Sequence, residues 1–262
     1  MKSIIFSALL FLLTITGCKG TFDIGLEYSS TPTSTPSVVP LATPTSIYSS
    51  PTPQPTATIT PSVVNIVMPL GTTAGVVQGT VQPGQIVTYA LEAGQSQPMI
   101  LIINSPNNDV TLGVSEPNGN MLLNPANKWT HWQGLLSKTE QYIIQVIGGA
   151  TAENYTLTAK VAQLVNFASN ATSITLNGKT VNGYVFSYSL SCSANQTMTA
   201  TLNVPSSTAY IDIIGLASGV LLSSAAKVNT WTGVLPQTQY YVIEVVPNNG
   251  QAVNYSLTVT VH

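Results

Sequence analysis

The sequence predicts an all-β protein, two tandem antiparallel β-sandwiches of jelly-roll or Ig-like form behind a disordered linker rich in Pro, Ser and Thr. Three observations predict it. One unit is written twice at an offset of 99 residues. Within each copy, short β-branched and aliphatic runs are separated by turn sequences, and no stretch of useful length carries a capped 3.6-residue apolar period. The 19 Gly, 17 Pro and 11 Tyr, with only 6% charged residues, favour strands and turns over helices.

Charge and rare residues narrow the function classes. The 262 residues hold 7 basic side chains, all Lys, against 9 acids, for a net charge of -2. No basic field is available to neutralise phosphates, which argues against a nucleic-acid partner. Two His and two Cys supply neither a zinc cluster nor a disulfide framework, and no cofactor is expected.

Residues 1–17 read as an export signal. Lys2 provides a positive start, and Ile4 to Ile15 is an apolar run too short for the roughly 20 residues that span a bilayer as a helix. It ends in Ile15-Thr16-Gly17-Cys18, which resembles the bacterial lipobox. That resemblance implies diacylation of Cys18, cleavage before it, and an N-acyl chain such as palmitate on the new terminus. At about 0.8 kcal/mol per buried CH₂, two or more tails hold a protein stably at a membrane. Lys19 follows where an Asp would resemble an inner-membrane retention signal, so a cell membrane or outer membrane with the chain exposed outside is the expected location.

Residues 18–62 form the stalk. Its Ser29 to Ser62 portion has 8 Pro and 17 Ser or Thr among 34 residues, and no charge occurs between Glu27 and Glu92. Such a segment cannot build a core. Proline favours extended polyproline II at about 3.1 Å per residue, so this length could reach on the order of 100 Å from the lipid.

The first repeat is assigned to 63–162 and the second to 163–262, with the boundary near Ala162 to Ser169. At the offset of 99, Gly79 meets Gly178, Tyr89-x-Leu91 meets Tyr188-x-Leu190, Met99 meets Met198 and Asn104-x-Pro106 meets Asn203-x-Pro205. Trp132-Gln133-Gly134-Leu135-Leu136 meets Trp231-Thr232-Gly233-Val234-Leu235, and Tyr142 meets Tyr241. After a one-residue slip, Asn154-Tyr155-Thr156-Leu157-Thr158 meets Asn254-Tyr255-Ser256-Leu257-Thr258. Met99 to Ile103 is a continuous aliphatic run, expected for a strand covered on both faces, whereas Tyr155 to Val161 and Tyr255 to Val261 alternate. Turns are predicted at Gln82-Pro83-Gly84, Pro117-Asn118-Gly119, Gly148-Gly149 and Pro247-Asn248-Asn249-Gly250.

The series Gly-x(4)-Gly-x(4)-Tyr-x-Leu, an aliphatic strand, Pro-x-Gly, Trp-x-Gly-x-Leu, Tyr-x-Ile-x-Val and Asn-Tyr-x-Leu resembles the bacterial pre-peptidase C-terminal (PPC) domain family over roughly 75–161, and again over 174–261. The resemblance implies β-sandwiches appended to secreted enzymes or displayed on bacterial surfaces, similar in shape to carbohydrate-binding modules. The second copy departs from it, with Gly215-Leu216-Ala217-Ser218-Gly219 in place of the Pro-x-Gly turn.

Candidate binding residues are aromatic. Trp132 and Trp231 would stack on a sugar ring if exposed, and would plug the end of a core if buried. Trp129 has no counterpart in the second copy, where Val228 stands. Alternation places Trp129 and His131 opposite Trp132, so a buried Trp132 puts Trp129 outside. Asp109 and Asp212, near equivalent strands, are weak calcium candidates, because a hard cation wants six to eight oxygens. Cys192, the one thiol left after acylation, reads as a small core residue, and the in-register tyrosines as core aromatics with tethered hydroxyls. His131 is the only interior His, no nucleophile elbow occurs and no acidic pair is signalled, so no catalytic residue is assigned and an enzyme is not expected.

These features predict a non-catalytic surface lipoprotein, membrane-bound through its lipid, that displays two modules to a glycan, peptide or envelope partner. A structural envelope spacer without a small-molecule ligand fits the same surface, and the sequence leaves both readings open.

Overall fold

The computed structural model describes residues 62–262 other than Asn182 and Ser206. The stretch read above as an export signal, Cys18 and the Ser/Thr/Pro segment up to residue 61 lie outside the described residues. Among those described there is no α-helix, only 3₁₀ turns between strands.

Strands β1 (Val64–Asn65), β2 (Ala74–Val81), β3 (Ile86–Ala93), β4 (Pro98–Asn104), β5 (Thr111–Ser115), β6 (Met121–Leu123), β7 (His131–Leu135), β8 (Glu140–Ile147) and β9 (Glu153–Val161) build the first sandwich. Sheet A has the order β1-β3-β8-β5-β6 and sheet B the order β2-β9-β4-β7. Strands β10 (Gln163–Leu164), β11 (Ser173–Lys179), β12 (Phe186–Cys192), β13 (Thr197–Asn203), β14 (Ala209–Gly215), β15 (Gly219–Leu222), β16 (Thr230–Val234), β17 (Gln239–Pro247) and β18 (Asn254–Val261) repeat the plan. Sheet C runs β10-β12-β17-β14-β15 and sheet D runs β11-β18-β13-β16. The orders are identical once each strand of the first copy is replaced by its counterpart nine places on.

Register carries the duplication to single residues. Tyr89 faces Ile144 as Tyr188 faces Ile243, and Met99 faces Gly134 as Met198 faces Gly233. Met99 pairs with Val161 but Met198 with Val261, one residue further than the offset of 99. The extra residue is absorbed in the turn between β17 and β18, where Asn248–Gly250 forms a 3₁₀ turn.

Inward residues make one core per sandwich. Met99, Leu101, Leu112, Tyr142, Ile144 and Leu157 are among those filling the first, and Met198, Ile211, Ile213, Tyr241, Ile243 and Leu257 among those filling the second. Each core is pinned by the same two tyrosine contacts. The Tyr142 hydroxyl donates to the Lys138 carbonyl at 2.8 Å and Tyr241 to that of Gln237 at 2.6 Å, each tying a turn to a strand four residues on. The hydroxyls of Tyr89 and Tyr155 meet at 2.6 Å and those of Tyr188 and Tyr255 at 2.9 Å, bridging the two sheets of each sandwich without leaving a buried polar atom alone.

A third, smaller cluster joins the sandwiches. Ile100 and Ile102, on the outer face of sheet B, gather with Ala162 against Val242, Ile214 and Leu216 from the outer side of the second sandwich. Both faces of the Met99 to Ile103 run are therefore covered, as that run led us to expect. Lys160 Nζ lies 2.7 Å from Glu244 Oε2, with the two side chains 13% and 1% exposed. The Ser187 hydroxyl donates to the other Glu244 oxygen at 3.1 Å, and the Ser187 amide donates to Thr73 Oγ1 at 2.7 Å. Gln133 Nε2 donates to the carbonyls of Gly215 and Leu216. The connection is equally fixed: the Ala162 amide donates to the Pro98 carbonyl at 2.9 Å, and β10 begins at the next residue.

Removing one member of a buried ion pair leaves the other charge uncompensated, which typically costs about 3–5 kcal/mol. Glu244→Ala should lose that much in chemical denaturation, whereas the double variant Lys160→Met/Glu244→Leu should recover most of it. Equal losses in the single and double variants would show that the pair is not coupled.

Candidate functional site

The tryptophans repeated between the copies are packing elements. Trp132 is 8% exposed within the first core, facing Leu101 across the strand pair, and Trp231 is half-buried against the second core, facing Ala200. A Cβ on Gly134 would stand 2.5 Å from the Trp132 ring, so the glycine is the space into which the indole folds, and Gly233 does the same under Trp231. Of the two tryptophans considered above as binding residues, Trp132 is thereby buried, while Trp231 keeps part of its ring at the surface. Trp129, by contrast, is 52% exposed, and His131 is exposed on the outer side of sheet B. Desolvation, and then the nearby Lys160 ammonium, hold His131 below the usual imidazole range, so it stays neutral at pH 7.

The two aspartates do lie at counterpart strands, β5 and β14, but at different places along them. Asp109 lies in the turn before β5, where its Oδ2 accepts the Ala150 amide at 2.9 Å. Asp212 lies within β14 and accepts the Ser224 amide, fixing the 3₁₀ turn Ser224–Ala226. The position matching Asp212 is Gly113, and the one matching Ser224 is Pro125. There a Cβ on residue 113 would be 2.7 Å from the proline ring. Proline has no N–H to offer, and no carboxylate stands opposite it. Both aspartates thus serve turns, and no cluster of three or more metal-ligating His, Cys, Asp or Glu occurs among the described residues.

Two hollows carry polar linings that the sequence reading did not single out. One, of about 620 Å³, lies on the free end of sheet B and is lined by Gln78, Thr80, Asn104, Ser105, Asn154 and Thr156, with Tyr155 below. Register explains it. Gln78, Thr156 and Asn104 stand side by side on β2, β9 and β4 and face outward because Tyr155 and Leu157 face the core. Thr80 donates to Asn154 Oδ1 at 2.6 Å across its rim. The other hollow, about 490 Å³, is a cleft where the edges of sheets C and D part. Gln163, Thr175, Asn177, Lys179, Phe186 and Tyr188 line it, and Gly71 of the first sandwich closes one side. The Phe186 and Tyr188 rings are 4.9 Å apart at 43°, and Tyr188 meets Tyr255 edge-on at 6.5 Å. Trp129 lines neither hollow. Alternation alone would have shown Thr175, Asn177 and Lys179 to face one way, but their approach to Phe186 depends on sheet packing.

Such a cleft offers part of the Phe186 ring for C–H groups beside amide, hydroxyl and ammonium donors, with Tyr188 buried behind it. It contains no nucleophile and base in contact. Cys192 is buried in the second core, with burial pushing its thiol up to about 11, and Tyr155 and Tyr255 are raised chiefly by burial, then by their tyrosine partners.

No protein-family model matches the chain, and no curated protein matches it. Among solved structures, the periplasmic inhibitor of g-type lysozyme PliG of Aeromonas hydrophila is similar at 26% identity, covering 38% of this chain and 96% of that one, with a TM-score of 0.35. The Salmonella Typhimurium PliG is 15% identical over the same shares, with a TM-score of 0.31. The CUB1-EGF-CUB2 domains of rat MASP-1 cover 76% of this chain and 100% of theirs at 9% identity and a TM-score of 0.25. At scores this low, neither activity nor partner carries over.

Trp132→Ala should cost about 3–5 kcal/mol in denaturant unfolding, and Trp129→Ala should stay within about 0.5 kcal/mol. Stability should also fall in alkali. Tyr142, Tyr155, Tyr188 and Tyr255 have raised folded pKa values, so the folded protein keeps protons that the unfolded chain releases above about pH 10. Their contribution is complete below that pH and declines above it by about 1.4 kcal/mol per pH unit for each tyrosine still protonated. Cys192 opens an earlier window, from about 8.5 in the unfolded chain, and Cys192→Ala should remove that first part of the decline.

Proposed function

We propose that this protein is a non-catalytic, lipid-anchored surface protein that presents two rigidly joined β-sandwiches for binding, with the cleft between sheets C and D receiving a neutral, hydroxyl-bearing ligand of the glycan class. The composition of that cleft carries the reading: Phe186 and Tyr188 wall one side while Gln163, Thr175, Asn177 and Lys179 supply donors and acceptors. An apolar wall with a few convergent polar groups in a cavity of a few hundred Å³ is the general form of a small-ligand site. The amide and hydroxyl groups suit sugar hydroxyls, and the half-buried Phe186 ring suits the C–H face of a pyranose. The order of PPC-like motifs and the lipobox-like Ile15 to Cys18 support an exported, tethered setting. The Ser/Thr/Pro segment would hold the sandwiches away from the lipid.

Two measurements test this. Feeding cells a clickable palmitate analogue should label the full chain but not Cys18→Ala, which should also be released into the medium. On an array of neutral oligosaccharides the mature protein should bind, and Asn177→Ala and Gln163→Ala should each weaken binding about tenfold through lost hydrogen bonds. An array without a hit would transfer the protein to the spacer reading.

A further inference from the structure

The outer face of sheet D carries two complete rows of hydroxyls. Ser173, Thr260, Thr199 and Thr232 stand in register across its four strands, and Thr175, Thr258, Thr201 and Thr230 form the next row. A third row of Asn177, Ser256 and Asn203 crosses three strands. Rows and columns repeat at roughly 4.8 Å between strands and about 6.7 Å along them. Six of these eight hydroxyls are paired before any ligand arrives: Ser173 with Thr260 at 3.1 Å, Thr175 with Thr258 at 2.9 Å and Thr199 with Thr232 at 3.0 Å. Branching at Cβ further stiffens the threonines.

The matching positions of the first sandwich form a docking face already. There the two rows read Ala74, Lys160, Ile100, Gln133 and Val76, Thr158, Ile102, His131, and Ile100, Ile102, Lys160 and Gln133 contact the second sandwich. The second copy keeps the plane and replaces its chemistry with uncharged hydroxyls. These rows contain no cation for phosphate or sulfate and no apolar patch for lipid. A plane of fixed donors and acceptors instead complements a neutral polyhydroxylated surface. It is also continuous with the cleft, because Thr175 and Asn177 belong to both.

We propose that the outer face of sheet D is the docking surface for the flat side of an extended neutral polysaccharide, one part of which enters the adjoining cleft. This rests on the reading of the cleft as a neutral-glycan site. The test uses the mature full chain in detergent micelles, sedimented with particles of cellulose, chitin or β-1,3-glucan, and titrated separately with soluble hexasaccharides of the same polymers. The variant Thr260→Lys/Thr232→Lys breaks the lattice, and the first sandwich already carries Lys160 at the position matching Thr260, so the fold accommodates the change. Gln163→Ala/Lys179→Ala alters the cleft. Wild type should sediment with at least one polymer, the lattice variant should lose about tenfold or more of that affinity while keeping hexasaccharide binding, and the cleft variant should lose hexasaccharide binding. Particle binding unchanged in the lattice variant would overturn the docking surface and leave the cleft reading standing. Absence of binding to both forms would overturn both. Concentration-dependent dimers abolished by Thr260→Lys/Thr232→Lys would assign the face to a second copy instead.

Discussion

A largely buried lysine and a fully buried glutamate from different sandwiches meet, and the relative placement of the two halves depends on that meeting. Lys160 leaves sheet B and Glu244 leaves sheet C, and each would be costly to bury alone. Net stability from such a pair is modest, but its directional demand is strict. Sliding one sheet over the other by a single residue pair would separate the charges and also break the Gln133 bonds to Gly215 and Leu216. The joint accordingly acts as a registry device between surfaces that Ile100, Ile102 and Val242 alone would let slip. The cleft depends on it, since Gly71 of the first sandwich reaches the second only in this arrangement.

Divergence between the copies follows the direction in which side chains point. Inward positions retain their partners: the tyrosine pairs, the tyrosine-to-turn bonds and the glycines under the tryptophans recur with the same geometry. Outward positions have specialised, because nothing in a sandwich core constrains them. Where a change falls on the turn beside β5 or β14 it is compensated locally, as with Gly113 under Pro125 in one copy and Asp212 bonded to Ser224 in the other.

Much of this was legible in the sequence. The offset of 99, the alternation of β9 and β18 and the turn residues foretold two all-β units, and the unbroken run from Met99 to Ile103 foretold a strand covered on both faces, though not that its cover was the second sandwich. The counterpart of that run, Met198 to Leu202, alternates with threonines, and the difference between the two was the available sign of an asymmetric joint. The role of Trp132 was open, since an indole before Gly-x-Leu can face either way until the glycine is seen beneath it. Asp109 and Asp212 were rightly placed near counterpart strands, and their unequal distances from Pro106 and Pro205 were the sign that they hold different turns. The cleft was illegible, for Lys179 and Phe186 lie on different sheets and meet only through packing.

The hydroxyl face of sheet D also resolves a difficulty inherent in duplicating this fold. Sheet B of the first copy binds sheet C of the second, so an unaltered duplicate would offer its own sheet D to sheet A of another molecule, and so on without closure. A heterologous contact of that kind that does not form a ring makes fibres. Both ends of the potential chain have lost the residues that form the internal joint. Thr199, Thr201 and Thr260 replace the counterparts of Ile100, Ile102 and Lys160, while on sheet A Gln145 and Ser115 occupy the positions of Glu244 and Ile214. Ile143 keeps one aliphatic side chain there, but with no glutamate to receive a lysine and no isoleucines to cover it, the register-setting contact cannot form. Blocking self-assembly required only that the face lose its apolar and ionic groups, and scattered polar residues would have sufficed. A complete two-row lattice of hydroxyls goes further than that requirement, and the excess order is what points outward to a partner with a repeating surface of its own.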